Sequence, residues 1–168
     1  VYLTGEAYFK VAKNTEHPFV VTAGELEVLV TGTTFGVRAY KDEKDIQTTL
    51  ESGQVTVRVE GKSVKLVPNK QVLFNKSTMG LEVRDVDVDL YLAWVDGRLV
   101  YDNCPLEKIL TDLGRWYNID VFYSRDELRS YQFSLNMKKH EEFTQVLELI
   151  GKTGEVQFEI KDNTVIVK

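Results

Sequence analysis

The stretch Asp96–Ser124, DGRLVYDNCPLEKILTDLGRWYNIDVFYS, decides how this chain is read. It predicts a strand, a helix and a second strand in close succession. After Pro105, the residues Leu106, Ile109, Leu110, Leu113, Trp116 and Tyr117 recur three or four positions apart. That spacing places all six on one face of a helix. Glu107, Lys108, Thr111, Asp112 and Arg115 fall on the other side. Pro105 suits the first helical position, because its missing N–H would need a partner there anyway. This placement makes Cys104 the N-cap and Glu107 the third helical residue of a capping box, with a thiol where a hydroxyl would accept better. The turn at Asn118 ends the helix, and "IDVF" resumes as a strand.

A shift of 37 residues repeats the unit. Leu106 lands on Phe143, Ile109 on Val146, Leu110 on Leu147 and Leu113 on Ile150. Beyond the helix, Ile119 lands on Val156 and Val121 on Phe158. The leading strands match less well, since Phe133, Leu135 and Met137 alternate while Leu99, Val100 and Tyr101 are continuously apolar. The reading is a duplicated unit with helices over 105–117 and 141–151. A last strand, "NTVIVK", returns from the Asp162-Asn163 turn as the second arm of a hairpin. The expected order is β-α-β, β-α-β-β, with both helices covering one face of a small sheet.

Upstream, the period changes from 3.6 to 2. From Glu6 to Val88 the chain is a succession of short β-branched and aromatic runs, among them "EAYFKV", "ELEVLV", "TTFGVRAY" and "QVTVRVE". Gly24, Gly53, Gly61 and the Pro68-Asn69 pair punctuate them. In "QVTVRVE", Val55, Val57 and Val59 share one face, and Thr56, Arg58 and Glu60 the other. About nine strands follow at intervals near ten residues. The pattern leaves a sandwich, a barrel and a β-solenoid open. The fold class is therefore α+β, with an all-β domain over 1–90 and a small α/β domain over 91–168.

The formal net charge of −5 is shared evenly: 11 basic and 13 acidic residues over 1–90, 10 and 13 over 91–168. Neither half carries the basic field that nucleic acid or an anionic membrane requires. No run approaches twenty apolar residues, so no membrane-spanning segment is expected within these residues, and no signal peptide is visible. The chain opens on Val1 within a strand-like run, which reads as a fragment whose upstream part is missing. A single cysteine, Cys104, excludes an internal disulfide.

Residue patterns for chemistry are sparse. His17 and His140 have no Cys or His partner at metal-ligand spacing. "DVDVD" (Asp85, Asp87, Asp89) hints at a calcium loop, but Leu90 stands where such a loop needs glycine, so a solvated linker is the better reading. "GTTFG" lacks the lysine and hydroxyl of a phosphate loop. Cys104 as a nucleophile would need a histidine that the sequence does not place. Trp116 lies on the helix stripe and is read as core, while Trp94 is read as packing between the two halves. No catalytic residue, cofactor site or metal site is expected. Binding or signalling fits better than catalysis.

The motifs also resemble a known family. "GEAYFKVAKNTEHPFVVTAGELEVLVTGTTFGVRAYKDE" followed by "TTLESGQVTVRV" resembles the periplasmic domain of FecR-like anti-sigma factors. "AWVDGRLVYDNCPLEKILTDLGRWYNIDVFYS" is similar to the C-terminal domain that accompanies it in Bacteroidetes members. Cys104 and Gly36 depart from the commoner residues at those positions. The resemblance implies a twisted, solenoid- or sandwich-like β domain, N-terminally incomplete here, followed by a secretin/TonB short N-terminal-like fold. It implies a periplasmic module of an inner-membrane protein that receives a signal from the N-terminal signalling domain of a TonB-dependent outer-membrane transporter. The sigma factor would be held through a missing cytoplasmic segment, and the membrane met only through a missing transmembrane helix.

An alternative reading is a carbohydrate-binding module, with Tyr2, Tyr8, Tyr40 and Tyr101 as stacking aromatics, although most of these fall in alternating runs and suit half-buried strand positions. For a protein partner, the expected docking element is the final hairpin. Its last strand is expected at a sheet edge, with Val165 and Val167 inward and Thr164 and Ile166 outward for a partner; the alternative turns Ile166 toward the β half and Val165 toward solvent. Trp94 is the second candidate.

Overall fold

The computed structural model describes residues 1–138 and 143–168, which form two compact units, Val1–Asp96 and Gly97–Lys168. The first contains strands β1 (Gly5–Lys10), β2 (Phe19–Ala23), β3 (Leu26–Val30), β4 (Thr34–Ala39), β5 (Asp45–Ser52), β6 (Val55–Val59), β7 (Lys62–Leu66), β8 (Lys70–Asn75) and β9 (Gly80–Asp85). Each matches one alternating run of the sequence. All pair antiparallel, in one sheet ordered β1-β4-β5-β8-β9 and another ordered β2-β3-β6-β7. After β1, successive strand pairs alternate between the sheets, and each new pair adds beside the last pair of its own sheet. The unit is thus a two-layer sandwich that grows stepwise in one direction, as a solenoid does.

One apolar cluster joins both sheets. Val21, Leu26, Val28, Val55 and Val57 come from the four-stranded sheet, and Phe35, Leu50, Val72 and Phe74 from the five-stranded one. The alternation read for β6 holds: Val55, Val57 and Val59 are buried, and Arg58 is exposed. The β6–β7 hairpin turns through Glu60 (φ 44°) and Gly61 (φ 77°). Two successive positive φ angles match the twist of the flanking strands, and glycine adopts one at little cost.

A four-residue helix, α1 (Asp89–Leu92), and a 3₁₀ turn, Ala93–Asp96, end this unit. Leu92 sits over Gly36 of β4, where a Cβ would collide with its Cδ2. A side chain at position 36 would require the Leu92 side chain to shift. A polar chain holds the same helix. Gln71 donates to Thr49 Oγ1 (2.7 Å), Arg84 Nε donates to Gln71 Oε1 (2.9 Å), and Arg84 also donates to the Tyr91 hydroxyl (2.8 Å). Gln71 is fully buried, so its satisfied amide matters: an unmet buried polar group costs about 1–3 kcal/mol.

The second unit has strands β10 (Arg98–Pro105), β11 (Asp120–Tyr123), β12 (Gln132–Lys138), β13 (Phe158–Lys161) and β14 (Thr164–Val167), with helices α2 (Leu106–Tyr117) and α3 (Thr144–Gly151). Residues 141 and 142 of the predicted 141–151 helix lie outside the described residues, and the helix runs from Thr144 to Gly151. The single small sheet expected from the sequence is instead two sheets. β10 pairs antiparallel with β12, while β11, β14 and β13 form a three-stranded sheet in that order. The two leading strands of the repeat pair with each other rather than with the strands that follow their own helices.

The six pairs of repeated positions all belong to one core. Leu106, Ile109, Leu110, Leu113 and Ile119, and equally Val146, Leu147, Ile150 and Val156, are buried, with Val121, Phe143 and Phe158 packed against them. Three local expectations change. The N-cap is Pro105 (ψ 138°), not Cys104, because Pro105 is still paired with Gln132 in β10. The N–H of Leu106 bonds to the carbonyl of Tyr131 (2.7 Å), so a backbone oxygen replaces the expected capping side chain. Asp112 was placed on the solvated face, yet it is buried, receiving the Tyr101 hydroxyl (3.0 Å) and ion pairs from Lys108 and Arg115. Leu128, fully buried in the 3₁₀ turn Asp126–Ser130, completes the core from a stretch without clear periodicity. Trp116 is half-buried against the core, and Asn118 (φ 53°) ends α2 in the left-handed conformation.

Candidate functional site

The three-stranded sheet β11-β14-β13 has one covered face and one open face. Asn118 turns the chain out of α2 and straight into β11. The Asn163 side chain donates to the Asn118 carbonyl, and Asp120 N–H donates to the Asn163 carbonyl (2.9 Å). These bonds bring the β13–β14 turn beside the start of β11, so β14 zips parallel along it from Asp120–Thr164 to Tyr123–Val167.

This corrects the edge reading of the last strand. β14 lies between β11 and β13, and its N–H and C=O groups are engaged on both sides. A terminal strand need not be an edge strand: here the earlier strand β11 claimed its free side. The facial assignment holds, since Val165 and Val167 are fully buried and Thr164 and Ile166 only half-buried. In register beside Ile166 stand Phe122 of β11, 61% exposed, and Glu159 of β13. Glu159 accepts from Lys161 and Lys168, which hold its carboxyl down at about 2. The open face therefore carries an apolar pair, Phe122 and Ile166, beside a carboxylate clamped by two ammonium groups.

The true edges of this sheet are β11 and β13. On the β13 side, Leu147, Gly151, Val156, Phe158 and Ile160 form the apolar part of an open groove of about 600 Å³ against α3, whose rim is polar, with Glu148 and Lys152 among its lining residues. Ile160 is 42% exposed. Sequence reasoning passed over Phe158 and Ile160 as edge residues. Their signal was the alternation in "VQFEI", which fixes a face but not a neighbour.

Trp94, the other candidate, lies in the 3₁₀ turn Ala93–Asp96. Its ring is partly exposed, while its indole N–H is buried without an acceptor among the described residues. Of the proposed stacking aromatics, Tyr2 is 91% exposed, and Tyr8, Tyr40 and Tyr101 are half-buried. Tyr8 donates to Glu51 (2.6 Å), and burial together with that carboxylate pushes its hydroxyl up to about 12. Tyr40 stacks under Arg38, which is nearly buried and ion-paired with Glu6 and Glu43. Tyr8 and Tyr40 thus serve packing and polar contacts within the β unit.

Among the described residues, no group of three His, Cys, Asp or Glu is placed to hold a metal ion. No described helix is long and apolar enough to cross a membrane. His140 lies outside the described residues. What the molecule offers are sheet faces, a sheet edge and a shallow, partly apolar groove. These define a β-sandwich joined to an α/β module whose open surfaces suit macromolecular contact.

Comparison with known proteins gives this class a family. The FecR protein family matches residues 2–56, and the family described as FecR, C-terminal matches residues 98–167. Together the two matches span most of the chain, which belongs to the FecR family. Two crystal structures of a candidate anti-sigma factor from Parabacteroides distasonis ATCC 8503, at 1.65 and 2.50 Å resolution, share the fold. Their TM-scores are 0.86 and 0.85, each at 22% identity over 99% of this chain and 78% of theirs. No curated protein matches the sequence.

Proposed function

We propose that this chain is the periplasmic, signal-receiving region of a transmembrane anti-sigma factor. In this reading the full-length protein is anchored in the inner membrane and holds an extracytoplasmic-function sigma factor through a cytoplasmic segment. The α/β unit receives the N-terminal signalling domain of a TonB-dependent outer-membrane transporter, and the β unit connects that event to the membrane. The observation that carries the reading is the presence of both FecR family matches, in order, on the two compact units. The likeness of the whole chain to a candidate anti-sigma factor supports it. Thr164 and Ile166, with Phe122 beside them, and Trp94 are the residues proposed to face the partner.

The test is a pull-down from an envelope extract of the source organism, followed by calorimetry with the purified partner domain. The expected capture is a TonB-dependent transporter, bound through its N-terminal domain. Ile166→Asp should weaken that binding while the circular dichroism spectrum stays unchanged, because Ile166 points out of the core. Failure of every transporter signalling domain of the organism to bind would overturn the proposal. Saturable binding of a glycan instead would favour a carbohydrate-binding module.

A further inference from the structure

We propose that the outer edge of β13 receives an extended strand of the partner, whose alternate apolar side chains enter the groove beside α3. The inference rests on the docking reading above and names the surface and the mode of contact.

The hydrogen-bond pattern identifies the edge. Gln157 and Lys168 exchange both N–H···O bonds, at 3.0 and 2.9 Å. Antiparallel ladders alternate bonded and non-bonded pairs, so Glu159–Ile166 and Lys161–Thr164 are the next bonded pairs. The N–H and C=O groups of Phe158 and Ile160 consequently point away from β14. No strand among the described residues pairs with that side. Two donors and two acceptors at the spacing of a strand are thus presented outward.

The side chains agree with the backbone. Phe158 and Ile160 stand opposite Val167 and Val165, which are fully buried, yet Ile160 is 42% exposed. Among the described residues, no strand stands on the outer side of Ile160. A strand laid there would place one apolar side chain beside Ile160 and another along the groove beside Phe158, which lies next to Gly151 of α3. On the other face, the added strand would run past Lys161, Glu159 and Lys168, a cluster with one net positive charge. The fitting partner strand is therefore apolar on its groove face and acidic on its outer face. A second copy of this chain fits less well. The symmetric pairing that uses both Phe158 and Ile160 sets Glu159 directly against its copy, and like charges so placed are destabilising.

The closing experiment uses the transporter signalling domain captured in the pull-down as its probe. In the unbound protein the Phe158 and Ile160 amides should exchange rapidly with solvent. On binding, both should slow at least about tenfold, the signature of strand addition. Ile160→Pro removes an outward donor that β14 does not use, so the fold should survive, as prolines on edge strands do. Binding should weaken about tenfold or more, equivalent to about 1.4 kcal/mol. If Ile160→Pro disturbs the dichroism spectrum, the exchange measurement on the unmodified chain decides. Binding with unchanged exchange at both amides overturns strand addition while leaving the docking reading intact. Failure of all signalling domains to bind overturns both. Protection of these amides in the chain alone, with dimer mass in sedimentation, assigns the edge to a second copy and overturns the proposal.

Discussion

In the β unit, the outer strand β7 exposes Lys62, Ser63 and Lys65, and the opposite edge, β2, is covered by residues 1–3 through bonds between Val1, Leu3 and Thr22. In the α/β unit, β13 turns Phe158 and Ile160 toward an open groove, and among the described residues no strand pairs with their outward backbone groups. Charged edges with no apolar companion resist the addition of further strands, whereas an apolar edge beside a groove invites it. The edges of the four-stranded sheet are thus guarded, while the β13 edge is available. The cores differ as well. The β unit fills its interior from the inner faces of two sheets, each residue touching neighbours distant in sequence. The α/β unit fills its interior from two helix stripes packed on strand residues such as Leu99, Phe133, Val165 and Val167.

The strongest way to break this comparison is to hollow each core in turn. Phe35→Ala should cost the β unit about 3–5 kcal/mol, and Leu110→Ala or Leu147→Ala the α/β unit about 2–5 kcal/mol. Each unit holds one tryptophan, Trp94 or Trp116, so denaturant melts of the Trp116→Phe and Trp94→Phe backgrounds report the two cores separately. Equal losses from Leu110→Ala and Leu147→Ala would show that the repeated positions are also energetically equivalent. A loss under 1 kcal/mol at either would break the equivalence of the two halves.

The polar chain that holds α1 is centred on a neutral buried amide, whereas the buried polar group of the second unit is the Asp112 carboxylate held by Tyr101, Lys108 and Arg115. Gln71→Ala leaves Thr49 and Arg84 without their shared partner and should cost about 1–3 kcal/mol in the β unit. A urea melt followed through Trp94, in the turn directly after α1, is the measurement. No change there would mean that water replaces the amide without loss.

A smaller effect tests the corrected cap. Cys104 packs against the second core and does not cap α2, so Cys104→Ser should be neutral or destabilising by about 1 kcal/mol rather than stabilising. Stabilisation in a thermal melt would restore the capping role.

The smallest expected effect is a pH dependence. Burial raises Tyr8 in the first unit and Tyr123 in the second to about 12 each. A raised folded pKa means that the neutral phenol is favoured in the fold. Its stabilisation is complete below the ordinary value near 10 and is lost as pH rises from 10 to 12. Absorbance titration near 295 nm should show a late step that shrinks in Tyr8→Phe and again in Tyr123→Phe. A step unchanged by both substitutions would refute the assignment.

Much of the molecule was legible in the residue order. Every one of the alternating runs from Glu6 to Asp85 became a strand, because a period of two reports which side of a strand is buried, and that is a local property. The stripes after Pro105 became helices for the same reason, and their repeat at 37 residues led to twelve positions of one core. Period alone also sets Val165 and Val167 on one face and Thr164 and Ile166 on the other, while burial in the structure decides that the valines face inward.

What the residue order left undecided was who stands beside whom. Nothing in "NTVIVK" states that β11, some forty residues earlier, will take its outer side, or that β10 will pair with β12 and leave two sheets instead of one. Asp112 looked solvated because the stripe is read on a lone helix, and only Tyr101 from β10, with Lys108 and Arg115 beside it, makes its burial tolerable. Cys104 looked like a cap because the strand pairing that holds Pro105 extended lies across the chain at Gln132. Faces were set by the sequence, since they depend on neighbours a few residues away. Edges, partners and the groove beside β13 were decided by tertiary structure, since they depend on contacts that close large loops and that no local period records.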